Sequence, residues 1–267
     1  MSDSAASADA VDFERRFGGL RRLYGAEGAQ RIFDAHVAVV GVGGVGSWAA
    51  EALARSGVRR LSLIDLDHVS ESNFNRQIHA HSETLGQSKC EAMRERIALY
   101  HPACEVDTVE DFVTPENWPH MLEAPLQGAM PDVVIDACDQ VAAKVAMAAW
   151  ALAQRRALLC VGAAGGKRLA QAVELEDLSA VTHDPLLAKL RYQLRRQHGA
   201  PRDGKMAVAC VFSREPVAAP DEACLVGSAD GSLNCHGYGS VVSVTAAFGM
   251  AAAGWAMNTL AKNLKTS

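Results

Sequence analysis

The run Val37-Ala38-Val39-Val40-Gly41-Val42-Gly43-Gly44-Val45-Gly46-Ser47-Trp48-Ala49-Ala50-Glu51 decides the fold, read together with Leu61-Ser62-Leu63-Ile64-Asp65-Leu66-Asp67 downstream. A short apolar segment meets glycines at G-x-G-x-x-G spacing, and a helix-forming stretch follows that Gly57 closes. A second apolar segment then ends on an aspartate. This order specifies a βαβ unit that grips a nucleotide. The glycines Gly41, Gly43 and Gly46 let the backbone turn tightly and approach a phosphate. The helix N-terminus offers that anion peptide N–H groups and the positive end of its dipole. Asp65 stands where a carboxylate can hydrogen-bond ribose hydroxyls. On these residues alone, a dinucleotide and ATP fit equally well.

Working outward, strand-like and helix-like segments alternate. Strands are expected at 37–40, 61–64, 105–109, 132–136 and 158–161, with helices at about 26–33, 46–56, 85–100 and 142–155 and a short helix opened by Thr114-Pro115. The alternation predicts an α/β fold: a Rossmann-like, doubly wound, mainly parallel sheet covered on both faces. One domain over 13–267 is expected, with its nucleotide-binding core at about 37–166 and a disordered tail at 1–12. Residues from 167 onward read as a less regular C-terminal elaboration. It holds a basic amphipathic segment (185–198), a glycine-rich loop near 227–239 and an apolar terminal helix. Val241 to Leu260 carries no charge and approaches the length of a bilayer span. Its Ala, Gly, Ser and Thr content favours a buried or dimer-interface helix over membrane association.

The net charge of -5 gives no global signature of nucleic-acid binding, so any RNA contact must come from a local patch. No secretory signal is visible, which points to the cytoplasm. The seven cysteines form no C-x-x-C pair. That argues for reduced thiols, against a disulfide framework and against zinc. Cys235, beside His236, and Cys210 are candidate acyl or sulfur acceptors. Either would need a lowered thiol pKa, and bystander thiols are the better expectation.

The residues after strand two separate the nucleotides. Asp65-Leu66-Asp67 is followed by Asn73-Phe74-Asn75-Arg76-Gln77 and by Gly86-Gln87-Ser88-Lys89. Hydride transfer has little use for an arginine and a lysine beside the phosphates. Nucleotidyl transfer does, because negative charge builds on the α-phosphate and the departing pyrophosphate. Asp139, in Ile135-Asp136-Ala137-Cys138-Asp139, follows a strand and can hold Mg²⁺ near those phosphates.

In this order, G-x-G-G-x-G, D-x-D, N-x-N-R-Q, G-x-x-K and D-x-x-D, the chain resembles the E1-like (ThiF-type) adenylating enzymes. The resemblance implies nucleotide contacts from Gly41, Gly43, Gly44, Gly46, Asp65 and Asp67. It implies phosphate binding by Asn73, Arg76 and Lys89, ribose binding by Asp65, and Mg²⁺ at Asp139. It also implies a homodimer in which an arginine from one subunit enters the other's site. Arg16, Arg21 and Arg22 are candidates, with Arg22 favoured. Two branches of the family are open. Activators of sulfur-carrier or ubiquitin-like proteins usually hold zinc on two C-x-x-C pairs, which this chain lacks. The segments Arg15–Gly25, His79-Ala80, Asp111–Asn117, His183–Arg191 and Val208–Ser213 instead resemble the bacterial tRNA threonylcarbamoyladenosine dehydratases. That branch implies ATP-dependent cyclisation of threonylcarbamoyladenosine at position 37 of tRNA, a monovalent-cation requirement and a cysteine-desulfurase partner as open points. A tRNA reading gives Lys189, Arg191, Arg195 and Arg196 a phosphate role. An ordinary solvated helix face opposite Leu186, Leu187, Leu190 and Leu194 fits them equally well. Gly162 to Gly166 either lines the acyl side of the site or is a plain turn.

Overall fold

The computed structural model describes residues 12–123, 130–218 and 238–262. Among them, seven strands form one sheet: β1 (His36–Val40), β2 (Arg60–Ile64), β3 (Glu105–Val109), β4 (Val133–Asp136), β5 (Ala157–Val161), β6 (Val173–Asp177) and β7 (Ala209–Ser213). The helices are α1 (Phe13–Phe17), α2 (Gly19–Phe33), α3 (Gly46–Arg55), α4 (Lys89–Ala98), α5 (Val141–Gln154), α6 (Pro185–Gln197) and α7 (Val242–Ala261).

The strand order is β3-β2-β1-β4-β5-β7-β6, parallel throughout except that β6 runs antiparallel to β7. From β1 the chain steps outward to β2 and β3, then returns to lay β4 on the other side of β1. The crevice outside the carboxyl ends of β1 and β4 is therefore a topological switch point, where open α/β sheets bind ligands.

Side chains alternate across each strand, so one strand feeds two cores. Val37, Val39, Leu61, Leu63 and Ile135 face a core closed by Leu53 of α3, Met93 of α4 and Phe248 of α7. Ala38, Val40, Ile64 and Val134 face a second core, closed by Met147 of α5 and by Leu187, Leu190 and Leu194 of α6. Both faces being covered explains why β1, β2 and β4 read as continuous apolar runs. Each fully buried Leu or Phe contributes about 1.5–3 kcal/mol to this arrangement.

Helix α7 packs on α3 through a glycine. A Cβ placed on Gly249 would lie 2.6 Å from the Val45 carbonyl oxygen and 2.7 Å from the Trp48 Cβ. Its small residues thus serve close helix contact, and among the described residues no helix is long and apolar enough to cross a membrane.

The structure departs from the sequence reading in four places. Strands β6 and β7 extend the sheet beyond residue 167. In β6, Val173-Glu174-Leu175-Glu176-Asp177 alternates apolar and acidic residues on an edge, so its signal is weak. Helix α2 begins at Gly19 rather than near Ala26, with a kink at Gly25 (φ +73°) that disguises it. Helix α4 begins at Lys89 rather than Leu85, because Gly86 takes a left-handed turn (φ +81°) just before it. The segment after Thr114 is a turn in which Thr114 N–H donates to Asn117 Oδ1 at 2.7 Å, followed by a 3₁₀ turn over His120–Leu122. The tail assigned to 1–12 lies, but for Asp12, outside the described residues.

Candidate nucleotide site

Each glycine of the first loop has a separate steric reason. Gly41 leaves β1 at φ +84°, and a Cβ there would meet the Ala137 carbonyl at 2.9 Å. At Gly46 a Cβ would stand 1.8 Å from the Gly41 oxygen, so only glycine lets α3 begin directly against the end of β1. Gly43 differs: nothing lies within 4 Å of the Cβ position. That open space, at the mouth of α3, is the place where a phosphate can approach backbone N–H groups.

Asp65 follows β2 and is almost fully buried. Its Oδ2 accepts the Val42 N–H at 2.7 Å, and its Oδ1 accepts the Asp67 N–H at 2.9 Å. One carboxylate therefore ties the glycine loop to the loop after β2. Burial pushes its pKa up, against Lys89 and the two peptide N–H donors, which pull it down.

Arg76 reaches the same loop from the other side. Its aliphatic stem lies over Gly44, whose Cβ position is 3.3 Å from both Cγ and Cδ. Its Nη1 donates to the Ser72 carbonyl at 2.6 Å and to Asn75 Oδ1 at 2.9 Å, and Trp48 Nε1 donates to its carbonyl at 2.9 Å. Asn73 is buried one turn earlier in a short 3₁₀ segment, where its Oδ1 accepts the Ser70 N–H at 3.1 Å. Lys89 opens α4 with its side chain buried, and its Nζ pairs with Asp67 Oδ2 at 2.6 Å. His79 lies in the same neighbourhood and is completely buried. Burial, with Lys89 and Arg96 nearby, pushes its pKa down to about 3 and keeps it neutral.

Asp139 is exposed in the turn after β4, across the switch point from the glycine loop. Magnesium is commonly held by one or two carboxylates plus nucleotide phosphates. A lone exposed carboxylate at this edge fits such an ion, with the phosphates supplying the remaining ligands.

The sequence reading missed the pair directly beneath that turn. Asp136 and Lys144, both fully buried, form an ion pair at 3.0 Å. Its sequence signals were Asp136, which opens the D-x-x-D motif, and a lysine in the first turn of the largely apolar α5.

Arg16 donates to its own chain's Tyr100 carbonyl at 2.6 Å, and Arg21 pairs with Glu14 at 2.8 Å, whereas Arg22 is exposed. On α6, Arg191 Nη1 donates to the Leu178 and Val181 carbonyls at 3.0 and 2.7 Å, and Arg195 donates to those of Pro201 and Arg202 at 3.1 and 2.8 Å. Both guanidiniums thus brace loops, while Lys189 and Arg196 face outward beside the exposed Tyr192. Cys210 is fully buried, and burial pushes its thiol up, which removes it as an acceptor. Cys235 lies outside the described residues. Gly162 to Gly166 follows β5 and is pinned by Asp184, whose Oδ2 accepts the Ala163 N–H at 2.8 Å. An open groove of about 400 Å³ adjoins it, lined in part by His183, Asp184, Arg191 and Val217.

The ThiF family model matches residues 17–267. The chain belongs to the ThiF family. Among relatives of this ThiF-family protein, the tRNA threonylcarbamoyladenosine dehydratase of Haemophilus influenzae is 39% identical over 94% of this chain and 95% of its own length. The crystal structure of the Escherichia coli tRNA N6-threonylcarbamoyladenosine dehydratase in complex with ATP superposes with a TM-score of 0.83. It shares 40% identity and covers 97% of this chain and 99% of that one. The adenylyltransferase and sulfurtransferase MOCS3 of Drosophila sechellia matches at 35% identity over 44% of this chain and 25% of its own length.

Proposed function

We propose that this ThiF-family chain is an ATP-dependent dehydratase that cyclises threonylcarbamoyladenosine in tRNA, at position 37. The observation that carries this reading is the near-complete overlay on the Escherichia coli enzyme crystallised with ATP, at 40% identity. The match to the adenylyltransferase and sulfurtransferase of Drosophila sechellia spans less than half of this chain.

The residues around the glycine loop suit the chemistry. The substrate's threonyl carboxylate attacks the α-phosphate of ATP, forming an acyl-adenylate and releasing pyrophosphate. Gly43 and the mouth of α3 receive the phosphates. Arg76 and Lys89 supply positive charge where the transition state gains negative charge. Asp65 serves the ribose edge with oxygens already aligned by two peptide donors. Asp139 is the residue that would hold Mg²⁺, which when bound supplies further charge neutralisation at the phosphates. In the second step an atom of the substrate's own carbamoyl group attacks the acyl carbon, closes the ring and expels AMP. The net loss is one water. An internal nucleophile is held at high effective concentration, so no protein thioester is needed.

The enzyme acts as a homodimer in this reading, with Arg22 entering the partner subunit's site. Arg16 and Arg21 are held by their own chain, which leaves Arg22 as the candidate. Lys189 and Arg196, with Tyr192 between them, are the outward α6 residues available to tRNA phosphates. The test is incubation with ATP and threonylcarbamoyl-modified tRNA, followed by nucleoside mass spectrometry. Loss of water supports the reading; acyl-adenylate formation on a Gly-Gly-tailed carrier protein instead would move it to the other branch.

A further inference from the structure

Lys144 is among the largest side chains to be completely buried in the described residues. Its ammonium donates to Asp136 Oδ1 at 3.0 Å, to the Asp136 carbonyl at 3.3 Å and to the Val161 carbonyl at 2.8 Å. These acceptors are the last residues of β4 and β5, immediately before the Asp139 turn and before Gly162. Burial alone disfavours the lysine's charge, but the adjacent carboxylate outweighs it and raises the pKa. Three thiols surround the pair, Cys138, Cys160 and Cys210, all pushed up by burial and therefore neutral.

A buried ion pair is weak as a source of stability, because desolvation offsets much of the attraction, and apolar residues of similar size often do as well. What this pair does hold is geometry. Asp136 Oδ1 also accepts the Cys138 N–H at 3.3 Å and contacts Cys138 Sγ at 3.0 Å. The carboxylate thereby ties Cys138, next to Asp139, to the end of β4. The same turn is in close contact with Gly41, and its Ala137 N–H donates to the Val40 carbonyl at 2.8 Å.

We propose that Lys144 is a positioning residue: acting through Asp136, it fixes the Ala137–Asp139 turn against the glycine loop, so that the Asp139 carboxylate stands where nucleotide phosphates enter. This rests on the adenylation reading above for its consequence, though the geometric part can be tested without it.

The variants are Lys144→Met, which keeps the stem, and the double variant Asp136→Asn/Lys144→Met, which removes both charges and avoids an unpaired buried carboxylate. Lys144→Arg restores the charge. The first readout is amide hydrogen exchange of the peptide containing Cys138 in the nucleotide-free protein. We expect about tenfold or greater loss of protection in the Met variants, the scale of a hydrogen bond to a charged group. The second readout is pyrophosphate release. We expect kcat to fall by on the order of 10²-fold, as for a site group displaced by about 1 Å, while AMP affinity stays within about threefold. Lys144→Arg recovers part of the loss. Unchanged exchange at Cys138 in the folded double variant overturns the proposal, as does turnover near that of the unsubstituted enzyme. An unsubstituted protein that shows no turnover, alongside altered exchange in the variants, sinks the reaction and leaves the positioning role standing.

Discussion

The carboxylate of Asp65 accepts the peptide N–H of Val42 at 2.7 Å, so the acid that follows β2 is tied to the glycine loop that follows β1. Its other oxygen takes the Asp67 N–H, and Asp67 in turn pairs with Lys89. Two strand ends, a lysine and a helix mouth are therefore one connected unit. Asp65→Ala breaks the unit at its centre. ATP affinity should fall at least tenfold, with about 1–3 kcal/mol lost from folding because buried donors lose their acceptor. Calorimetry of ATP binding and urea unfolding check the two effects separately.

The two glycines at either end of the x-x-G segment predict opposite phenotypes. Gly46→Ala forces a Cβ into the Gly41 carbonyl and should cost about 3 kcal/mol or more. Gly43→Ala has open space around the new methyl and should change stability by less than about 1 kcal/mol. It should nevertheless block ATP binding, because in the proposed reading that space is the phosphate approach. A Gly43→Ala protein that binds ATP normally would place the phosphates elsewhere.

Arg76→Ala and Lys89→Ala each remove a positive charge from the glycine loop's surroundings. Pyrophosphate release should fall by a factor on the order of 10²–10³ in either variant, with the far-ultraviolet circular dichroism unchanged. Near-normal turnover in either would contradict the phosphate roles.

Subunit mixing tests the proposed composite site. Arg22→Ala and Arg76→Ala proteins should each be inactive. Mixed in equal amounts after unfolding and refolding, they should recover about a quarter of the unsubstituted activity, since half the dimers then carry one intact composite site. No recovery would place the arginine in its own subunit's site or remove it from the chemistry.

Two buried histidines set an acid sensitivity. Burial pushes His36 down to about 4 and His79 down to about 3, so both are neutral when folded and protonate readily when unfolded. Their contribution is fully present above pH 6.5 and is lost as pH falls toward those folded values. In that window the unfolded chain binds the extra protons, and stability should drop by roughly 1.4 kcal/mol per pH unit for each histidine. Urea midpoints measured from pH 7 to pH 5 should show the slope, and His79→Gln should reduce it. An unchanged profile in that variant would assign the acid sensitivity to other groups.

Much of this site was legible in the chain because its residues are local to the strand ends. The G-x-G-x-x-G run, Asp65, Lys89 and Asp139 each sit within a few residues of a recognisable strand or helix, Arg76 is legible only through the N-x-N-R-Q motif of its loop, and the switch-point topology brings the strand ends together. What was not legible depended on distant partners. Lys144 looks like a stray charge on an alanine-rich helix until β4 and β5 are placed beneath it. Arg191 and Arg195 look like a basic stripe until loop carbonyls at 178, 181, 201 and 202 are seen to take their donors. His79 looks like a polar loop residue, and only the packing around it shows it buried. Strands β6 and β7 were hidden because one is an acidic edge and the other gains its burial from helices far away in sequence.

The product itself tests the dehydratase activity most directly. The purified protein is incubated with ATP, Mg²⁺ and threonylcarbamoyl-modified tRNA, the tRNA is digested, and the nucleoside is weighed while AMP and pyrophosphate are counted. Cyclisation gives a nucleoside lighter by one water, with one AMP and one pyrophosphate formed for each. An unchanged nucleoside mass from protein that binds ATP would contradict it.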